Sequence, residues 1–172
     1  MSFQTESVLV RKAIDFATLQ HGDQMYGEHP YTYHLEAVAQ LVQKYTQDQD
    51  IIATAWLHDV VEDTKVTRLD LENEFNERVG GMVWAVTGTG KNRFEKLASV
   101  LVKIPKTPGA DLVKCADRIA NVTSCTNNRI PYLMKKYLEE HPQIRLVFPQ
   151  SEILFEYNEA INHCATTLKE ME

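Results

Sequence analysis

The sequence predicts an all-α fold, a bundle of about eight to ten helices. Apolar residues recur at three- and four-residue spacing along nearly all of the 172 residues, which is the period of an amphipathic helix. The alternation that marks half-buried strands is missing, and so is the helix–strand–helix rhythm of a parallel sheet. Because no repeat, low-complexity tract or Pro/Gly-rich linker divides the chain, we expect residues 1–172 to form one domain.

Three helices are predicted in the first part of the chain. The first runs from about Thr5 to His21, and a loop from Gly22 to Thr32 follows it. The second helix begins at His34. Asp48 is an N-cap for the third helix, which is expected to continue without a break through DQDIIATAWLHDVVEDT, residues 48–64.

The rest of the chain continues in the same way. Thr67 followed by Asp70 resembles a capping box and starts a short helix that ends near Phe75. The HPQ segment, residues 141–143, is expected to join the last two helices. The remaining helices are predicted over 79–86, 93–102, 110–125, 132–138 and 152–168.

Composition excludes several classes of protein. A net charge of −6 argues against a nucleic-acid polymer as partner, because binding a phosphate backbone needs clustered positive charge. The N-terminal segment lacks the apolar core of a signal peptide, and no apolar run approaches the ~20 residues of a membrane span. An odd number of cysteines without C-x-x-C spacing indicates reduced thiols. We expect a cytoplasmic protein without membrane contact; composition leaves assembly into a homo-oligomer open.

A candidate metal site is assembled from three separate segments. His34, the adjacent pair His58-Asp59, and Asp117 all lie among apolar residues, where a polar group is costly unless something compensates for it. Two imidazoles and two carboxylates suit Mn²⁺, Fe²⁺ or Zn²⁺ better than Ca²⁺ or Mg²⁺. Taken singly, each of these residues could instead be a hydrogen-bonded core residue.

Two further carboxylates follow the HD pair on the same helix. Glu62 lies one turn beyond His58, and Asp63 lies one turn beyond Asp59, so both project from the sector of the candidate ligands. We interpret them as the general acid/base groups that orient the attacking water and handle the proton of the leaving group. The alternative is that they only end the helix before Thr64, an unfavourable position for acidic residues in the field of the helix dipole.

The pattern H…HD…D resembles the HD superfamily of metal phosphohydrolases, and more narrowly the hydrolase domain of the RelA/SpoT family and its small stand-alone relatives, such as the metazoan SpoT homologue. The resemblance is carried by HGDQ (21–24), PYTYH (30–34), AWLHDVVEDT (55–64) and LVKCADRIAN (112–121). It implies one HD phosphohydrolase domain, Mn²⁺ at the four ligands, and Glu62 and Asp63 as the groups that activate water. It further implies removal of pyrophosphate from the 3′ position of an alarmone such as ppGpp, with Asn121 near the nucleotide sugar.

The match is weaker where the nucleotide would bind. Members of that family usually carry a basic pair where this chain has Met25-Tyr26, and an arginine where it has Thr123. Losing arginine removes stacking and bidentate phosphate contacts. The segment GTGKNRFEK is a possible replacement: Lys91, Asn92 and Arg93 follow a Gly-rich turn at a helix start, where anions bind.

These three residues fit a phosphate contact and an ordinary solvated face equally well, and the segment lacks the spacing and the preceding strand of a P-loop. Tyr137 is a candidate for lining the substrate pocket, and core packing explains it equally well.

The leading hypothesis is therefore a metal-dependent hydrolase that removes phosphate or pyrophosphate from a small phosphorylated nucleotide. One alternative is a 5′-nucleotidase or phosphomonoesterase of the wider HD superfamily. The other is a module that binds metal or nucleotide without catalysis. The intact Glu62-Asp63 pair argues against that last alternative, since binding alone does not need carboxylates that activate water.

Overall fold

The computed structural model describes residues 7–172, and ten α-helices account for most of this range. Thr5, the predicted start of the first helix, lies outside the described residues. The helices are α1 (Val8–His21), α2 (Thr32–Gln43), α3 (Gln49–Leu57), α4 (Val60–Asp63), α5 (Arg68–Glu74), α6 (Glu77–Val86), α7 (Arg93–Lys103), α8 (Ala110–Asn127), α9 (Pro131–Ile144) and α10 (Glu152–Glu170). The predicted all-α class is confirmed.

Four of the ten described helices, α3, α5, α6 and α7, begin at a side-chain cap. The Asp48 side chain accepts hydrogen bonds from the first turn of α3, as predicted. Thr67 and Asp70 form a complete capping box at the start of α5. Asn76 and Asn92 cap α6 and α7 in the same way, each accepting from a backbone N–H three residues later.

Three local features differ from the sequence-based prediction. The long helix predicted over 48–64 breaks at His58 and Asp59, so that these two residues form the junction between α3 and α4. Pro142 lies inside α9, so the HPQ segment is helical and is not a connector. The loop after α1 contains a short antiparallel hairpin, β1 (Met25–Tyr26) and β2 (His29–Pro30), whose two-residue strands are too short to show alternation.

The core lies on both sides of α3. The larger apolar cluster surrounds α8, which packs against α2, α6, α9 and α10, and the smaller one lies between α1, α3 and α5. Cys115, Cys125 and Cys164 are buried and unpaired. Across residues 7–172, none of the helices combines the length and apolar character that crossing a membrane requires.

Two 3₁₀ turns complete the chain, at Ile104–Lys106 and Arg145–Val147. The first precedes Gly109, whose positive φ of 92° allows the chain to turn directly into α8. Since α8 contributes side chains both to the core and to the site described next, this turn sets where those side chains lie.

Candidate metal centre

Three helical segments bring four candidate ligands to one point. His34 lies in the first turn of α2, His58 and Asp59 at the junction of α3 and α4, and Asp117 in the middle of α8. The Nε2 atoms of the two histidines are 3.3 Å apart. Asp59 Oδ2 is 3.1 Å from His58 Nε2 and 3.6 Å from His34 Nε2. Asp117 Oδ1 is 3.4 Å from His34 Nε2 and 3.6 Å from His58 Nε2.

These distances fit a shared metal ion. Donor atoms bound about 2.0–2.2 Å from one ion at tetrahedral or octahedral angles lie about 2.9–3.6 Å from each other. The ligating atoms of His34, His58 and Asp59 form a group that could hold a metal ion. Asp117 lies outside this group of three, but its Oδ1 is 3.4 and 3.6 Å from the two Nε2 atoms and would add a second oxygen to the set.

The local field also favours a cation. Burial by itself lowers the pKa of His58, but the carboxylates of Asp59 and Asp117 outweigh it and raise that pKa to about 10. Burial of Asp117 acts in the opposite direction, yet Lys114 and the two imidazoles hold the pKa of its carboxyl well below the usual range. Both carboxylates are therefore ionised, and a divalent cation would neutralise the negative charge they concentrate here.

Neighbouring groups hold the candidate ligands in place. His58 Nδ1 donates to the carbonyl of Ala55 at 2.8 Å, and in this tautomer the lone pair of Nε2 is directed toward the centre. Asn121 Nδ2 donates to Asp117 Oδ1 at 2.5 Å, and Lys114 Nζ lies 2.9 Å from Asp117 Oδ2. Across the junction of α3 and α4 the backbone of His58 and Asp59 stays in the right-handed helical region, with Asp59 at φ −99° and ψ −7°.

The two carboxylates on α4 have different surroundings. Glu62 accepts from Lys96 Nζ at 2.8 Å and from the Gly88 N–H at 3.0 Å, so its orientation is fixed by two donors. Asp63 is partly buried beside Asp59, and both burial and that neighbouring charge raise the pKa of its carboxyl. The raised pKa brings the carboxyl of Asp63 closer to the range in which a group accepts and returns a proton.

Tyr31 connects the ligand set to these carboxylates, and the sequence interpretation gave it no role. Its hydroxyl lies 2.7 Å from Asp59 Oδ2 and 2.9 Å from Asp63 Oδ2. Burial, followed by the two carboxylates, raises the pKa of Tyr31 strongly, so the phenol stays protonated and donates. The only sequence signal was its place in PYTYH, three residues before His34.

Two connected spaces open from the centre. The inner cavity, of about 140 Å³, is lined by Tyr31, His34, Asp59, Glu62, Asp63, Arg93, Lys114, Asp117, Arg118, Asn121 and Tyr137. The outer cleft, of about 1100 Å³, lies between the hairpin, α2, α8 and α9. Since His34, Asn121 and Tyr137 line both spaces, the inner cavity and the outer cleft adjoin each other at these three side chains.

The predicted substrate contacts divide into two groups. Arg93, Asn121 and Tyr137 line the inner cavity, whereas Lys91 and Asn92 line neither space. The backbone N–H of Lys91 donates to Glu95 Oε2, and the Asn92 side chain caps α7. Glu95, an anion supplied by the chain itself, thus occupies the Gly-rich turn, and a phosphate contact by Lys91 or Asn92 stays a prediction.

The cations of the inner cavity were largely missed in the sequence. Arg93 and Arg118 both bind Glu140, with contacts between 2.5 and 2.8 Å, and Lys114 pairs with Asp117. Arg118 follows Asp117 directly and belongs to the same α8 motif, but nothing local indicated that its partner lies 22 residues away on α9.

Comparison with known proteins connects this geometry to a family. A family model described as HD domain matches residues 13–143. The guanosine-3′,5′-bis(diphosphate) 3′-pyrophosphohydrolase of Aquifex aeolicus is 33% identical over 120 residues, covering 66% of this chain and 17% of its own length. A probable enzyme of the same name from Synechocystis sp. is 34% identical over 124 residues, covering 66% and 16%. The chain thus spans less than a fifth of the length of these curated relatives.

A solved structure has the same fold. It is that of a metazoan orthologue of SpoT, a protein that hydrolyses ppGpp and plays a role in starvation responses. The TM-score is 0.73 with 22% sequence identity, and the superposition covers 92% of this chain and 97% of the other.

Proposed function

The chain belongs to the HD domain family, and on this premise we propose that it is a metal-dependent hydrolase that releases phosphate or pyrophosphate from a small nucleotide. The observation that carries the proposal is that the carboxylates of Asp59 and Asp117 each lie 3.1–3.6 Å from the Nε2 atoms of His34 and His58, with Glu62 and Asp63 on the wall of the same cavity. Residues 1–172 would act as one HD phosphohydrolase domain, supported by a core that joins helices from both ends of the chain.

The four ligands would hold one divalent ion. The mixed nitrogen and oxygen set favours Mn²⁺, with Fe²⁺ and Zn²⁺ as alternatives. When bound, such an ion lowers the pKa of water and polarises the phosphorus centre. Asn121 and Lys114 would keep Asp117 oriented, and the Ala55 carbonyl would keep His58 in the tautomer whose Nε2 can bind metal.

The two carboxylates of α4 would orient the attacking water and transfer its proton to the leaving group. Glu62, fixed by Lys96 and Gly88, would orient the attacking water. Asp63, whose pKa is raised, would accept the proton of that water as its oxygen bonds to phosphorus. The same proton would pass to the nucleoside oxygen as its bond to phosphorus breaks. Tyr31 would keep Asp63 beside Asp59 throughout.

Three cations in the inner cavity would hold the phosphate oxygens. Arg93, Lys114 and Arg118 line it together, and a guanidinium bound to one carboxylate keeps further N–H donors. Half of the Arg93 side chain is exposed, so its remaining donors are accessible. These charges also balance part of the negative charge from the four carboxylates of the same cavity.

The substrate class follows from the relatives. Proteins similar to this chain are named for hydrolysis of guanosine-3′,5′-bis(diphosphate) at the 3′ position, so ppGpp-type alarmones with guanine or adenine are the first compounds to test. Asn121 and Tyr137, at the boundary of inner cavity and outer cleft, would contact the nucleoside. Action in the cytoplasm, without a nucleic-acid polymer or membrane as partner, remains the sequence-based prediction.

A nucleotide panel tests the proposal. We expect Mn²⁺-dependent release of phosphate or pyrophosphate, abolished in Glu62→Gln and retained in Glu159→Gln, an exposed change on α10. Release of orthophosphate alone would identify a phosphomonoesterase. Tight nucleotide binding that Glu62→Gln leaves unchanged, without turnover by the parent, would identify a binding module.

A further inference from the structure

The charges around the site are divided between its two spaces. The inner cavity contains all three cations described above, Arg93, Lys114 and Arg118. In the outer cleft, Lys44 is the one lysine or arginine among the described lining residues. Its Nζ lies 3.1 Å from Glu156 Oε1, and Glu156 lines the same cleft. Three of the four described lysines and arginines that line the two spaces therefore lie beside the candidate metal ligands.

The balance in the outer cleft is negative. Glu28 and Glu156 line it against the single ammonium of Lys44. The neighbouring cation Lys136 lies over the ring of Tyr137, 4.4 Å from its centroid, and does not line the cleft. An additional phosphate in this cleft, about twice negatively charged at neutral pH, would meet two carboxylates and one ammonium that is already paired with one of them.

The remaining walls suit an uncharged guest. One face of α8 presents hydroxyl and amide groups, including Asn121, Thr123, Ser124 and Asn127. Tyr26, Tyr132 and Tyr137 add aromatic surface. Tyrosine rings stack on nucleobases, and amides and hydroxyls bond their polar edges and the sugar hydroxyls, so these walls can hold a nucleoside without charge pairing.

We propose that the preferred substrate is a nucleotide phosphorylated at one position only, with its phosphate or pyrophosphate in the inner cavity and an uncharged nucleoside in the outer cleft. This inference rests on the proposed function and narrows its substrate class. It separates the chain from relatives named for a bis(diphosphate), whose substrate carries a second diphosphate.

A matched pair of compounds tests it: guanosine 3′-diphosphate with a free 5′-hydroxyl, and guanosine-3′,5′-bis(diphosphate). We expect kcat/KM to be at least about tenfold higher for the first compound. The 5′-diphosphate of the second would give up hydrogen bonds to water without gaining a charge-assisted bond in the cleft, and one such bond is worth about this factor. With Mn²⁺ present, Glu62→Gln should likewise bind the first compound more tightly than the second, which calorimetry measures without depending on turnover.

Thr123 is the position at which to reverse the preference. It is exposed, lies on α8 and lines the outer cleft, so Thr123→Arg adds a cation where the parent has none free. We expect this variant to gain about tenfold or more toward the bis(diphosphate) relative to the other compound. Thr123→Gln, which introduces a neutral side chain, is the matched control. It should keep the parent's preference for guanosine 3′-diphosphate over the bis(diphosphate).

The outcomes are distinguishable. Tighter binding of guanosine 3′-diphosphate than of the bis(diphosphate), without hydrolysis of either, would refute the proposed function and support the inference about the outer cleft. Hydrolysis with a preference for the bis(diphosphate), unchanged by Thr123→Arg, would refute this inference and support the function. Failure of both compounds to bind with Mn²⁺ present would refute both.

Discussion

At the scale of single residues, the site depends on side chains whose partners lie far along the chain. Tyr31 joins Asp59 to Asp63, and Lys96 holds Glu62 from α7. Neither side chain is placed in a way that marks it in the sequence as part of a metal centre. Each acts on a group that would touch water or metal, so its removal should change the reaction more than the fold.

Tyr31→Phe should lower kcat by about tenfold, because a hydrogen bond to an ionised group contributes about 1.5–3 kcal/mol. Its ring, which stacks on His21, is retained, so the variant should stay folded, with a melting temperature lower by only several degrees. Steady-state kinetics and thermal unfolding measure the two effects. Tyr157→Phe, which removes a hydroxyl outside both spaces, is the control. An unchanged kcat in Tyr31→Phe would exclude the positioning role.

At the scale of helices and turns, Gly109 decides how α8 begins. Its φ of 92° is costly for any other residue, and an added Cβ would lie 3.0 Å from Ile51 Cδ1 and Met82 Sδ. We expect Gly109→Ala to destabilise the fold by about 1–2 kcal/mol. Urea unfolding measures this free energy.

Gly81→Ala is the matched control within α6, where an added Cβ meets nothing within 4 Å. Since alanine is the better helix former, this change should stabilise the protein by about 0.5–1 kcal/mol. Equal effects of the two substitutions would show that the backbone at Gly109 is not strained.

Glu140 connects three helices by an ion-pair network. From α9 it binds Arg93 of α7 and Arg118 of α8, and the Arg118 side chain is only 6% exposed. Glu140→Gln leaves that guanidinium buried without a matching charge, so we expect a loss of about 3 kcal/mol at pH 7. Glu139→Gln, an exposed change on the same helix, should be close to neutral.

The cost of Glu140→Gln should depend on pH. Burial raises the pKa of Glu140, but hydrogen bonds from Arg93 and the charge of Arg118 outweigh it and place the folded value below 4.5. A carboxyl with a depressed folded pKa stabilises the fold above its unfolded pKa and loses this contribution as pH falls through the folded value. The difference in unfolding free energy between parent and variant should therefore shrink below about pH 4.5.

At the scale of the whole molecule, the candidate ligands join segments that are distant in the chain. His34 comes from α2, His58 and Asp59 from the α3–α4 junction, and Asp117 from α8. An ion held by all of them binds the folded chain and not the unfolded one. Binding should therefore be measurable as stability of the entire domain.

Mn²⁺ at a hundred times its Kd should stabilise the parent by about 2.7 kcal/mol, seen as a higher melting temperature. Asp117→Ala should lose this increase together with most of the Mn²⁺ found by metal analysis. Asp111→Ala, on the first turn of the same helix and outside both spaces, should retain both. Equal metal content in parent and Asp117→Ala would remove the metal centre as we propose it.

The sequence by itself determined the all-α class, most helix bounds and the residue types of the candidate centre. Helical periodicity and caps such as Asp48 and Thr67 act within a few residues, so they can be read along the chain. The break at His58 and Asp59 could not be read in this way, because no local signal marks it and both side chains contact residues of α2 and α8 that lie far along the chain.

Only the tertiary structure decided what surrounds the four ligands. The Tyr31–Asp59 contact spans 28 residues, Lys96–Glu62 spans 34 and Arg93–Glu140 spans 47. It also decided that three of the four described lysines and arginines lining the site lie in the inner cavity, while the fourth, Lys44, is paired with Glu156 in the outer cleft. The physical reason is that charge pairing and cavity shape depend on the distance between side chains in space, which helix packing sets and local sequence pattern does not.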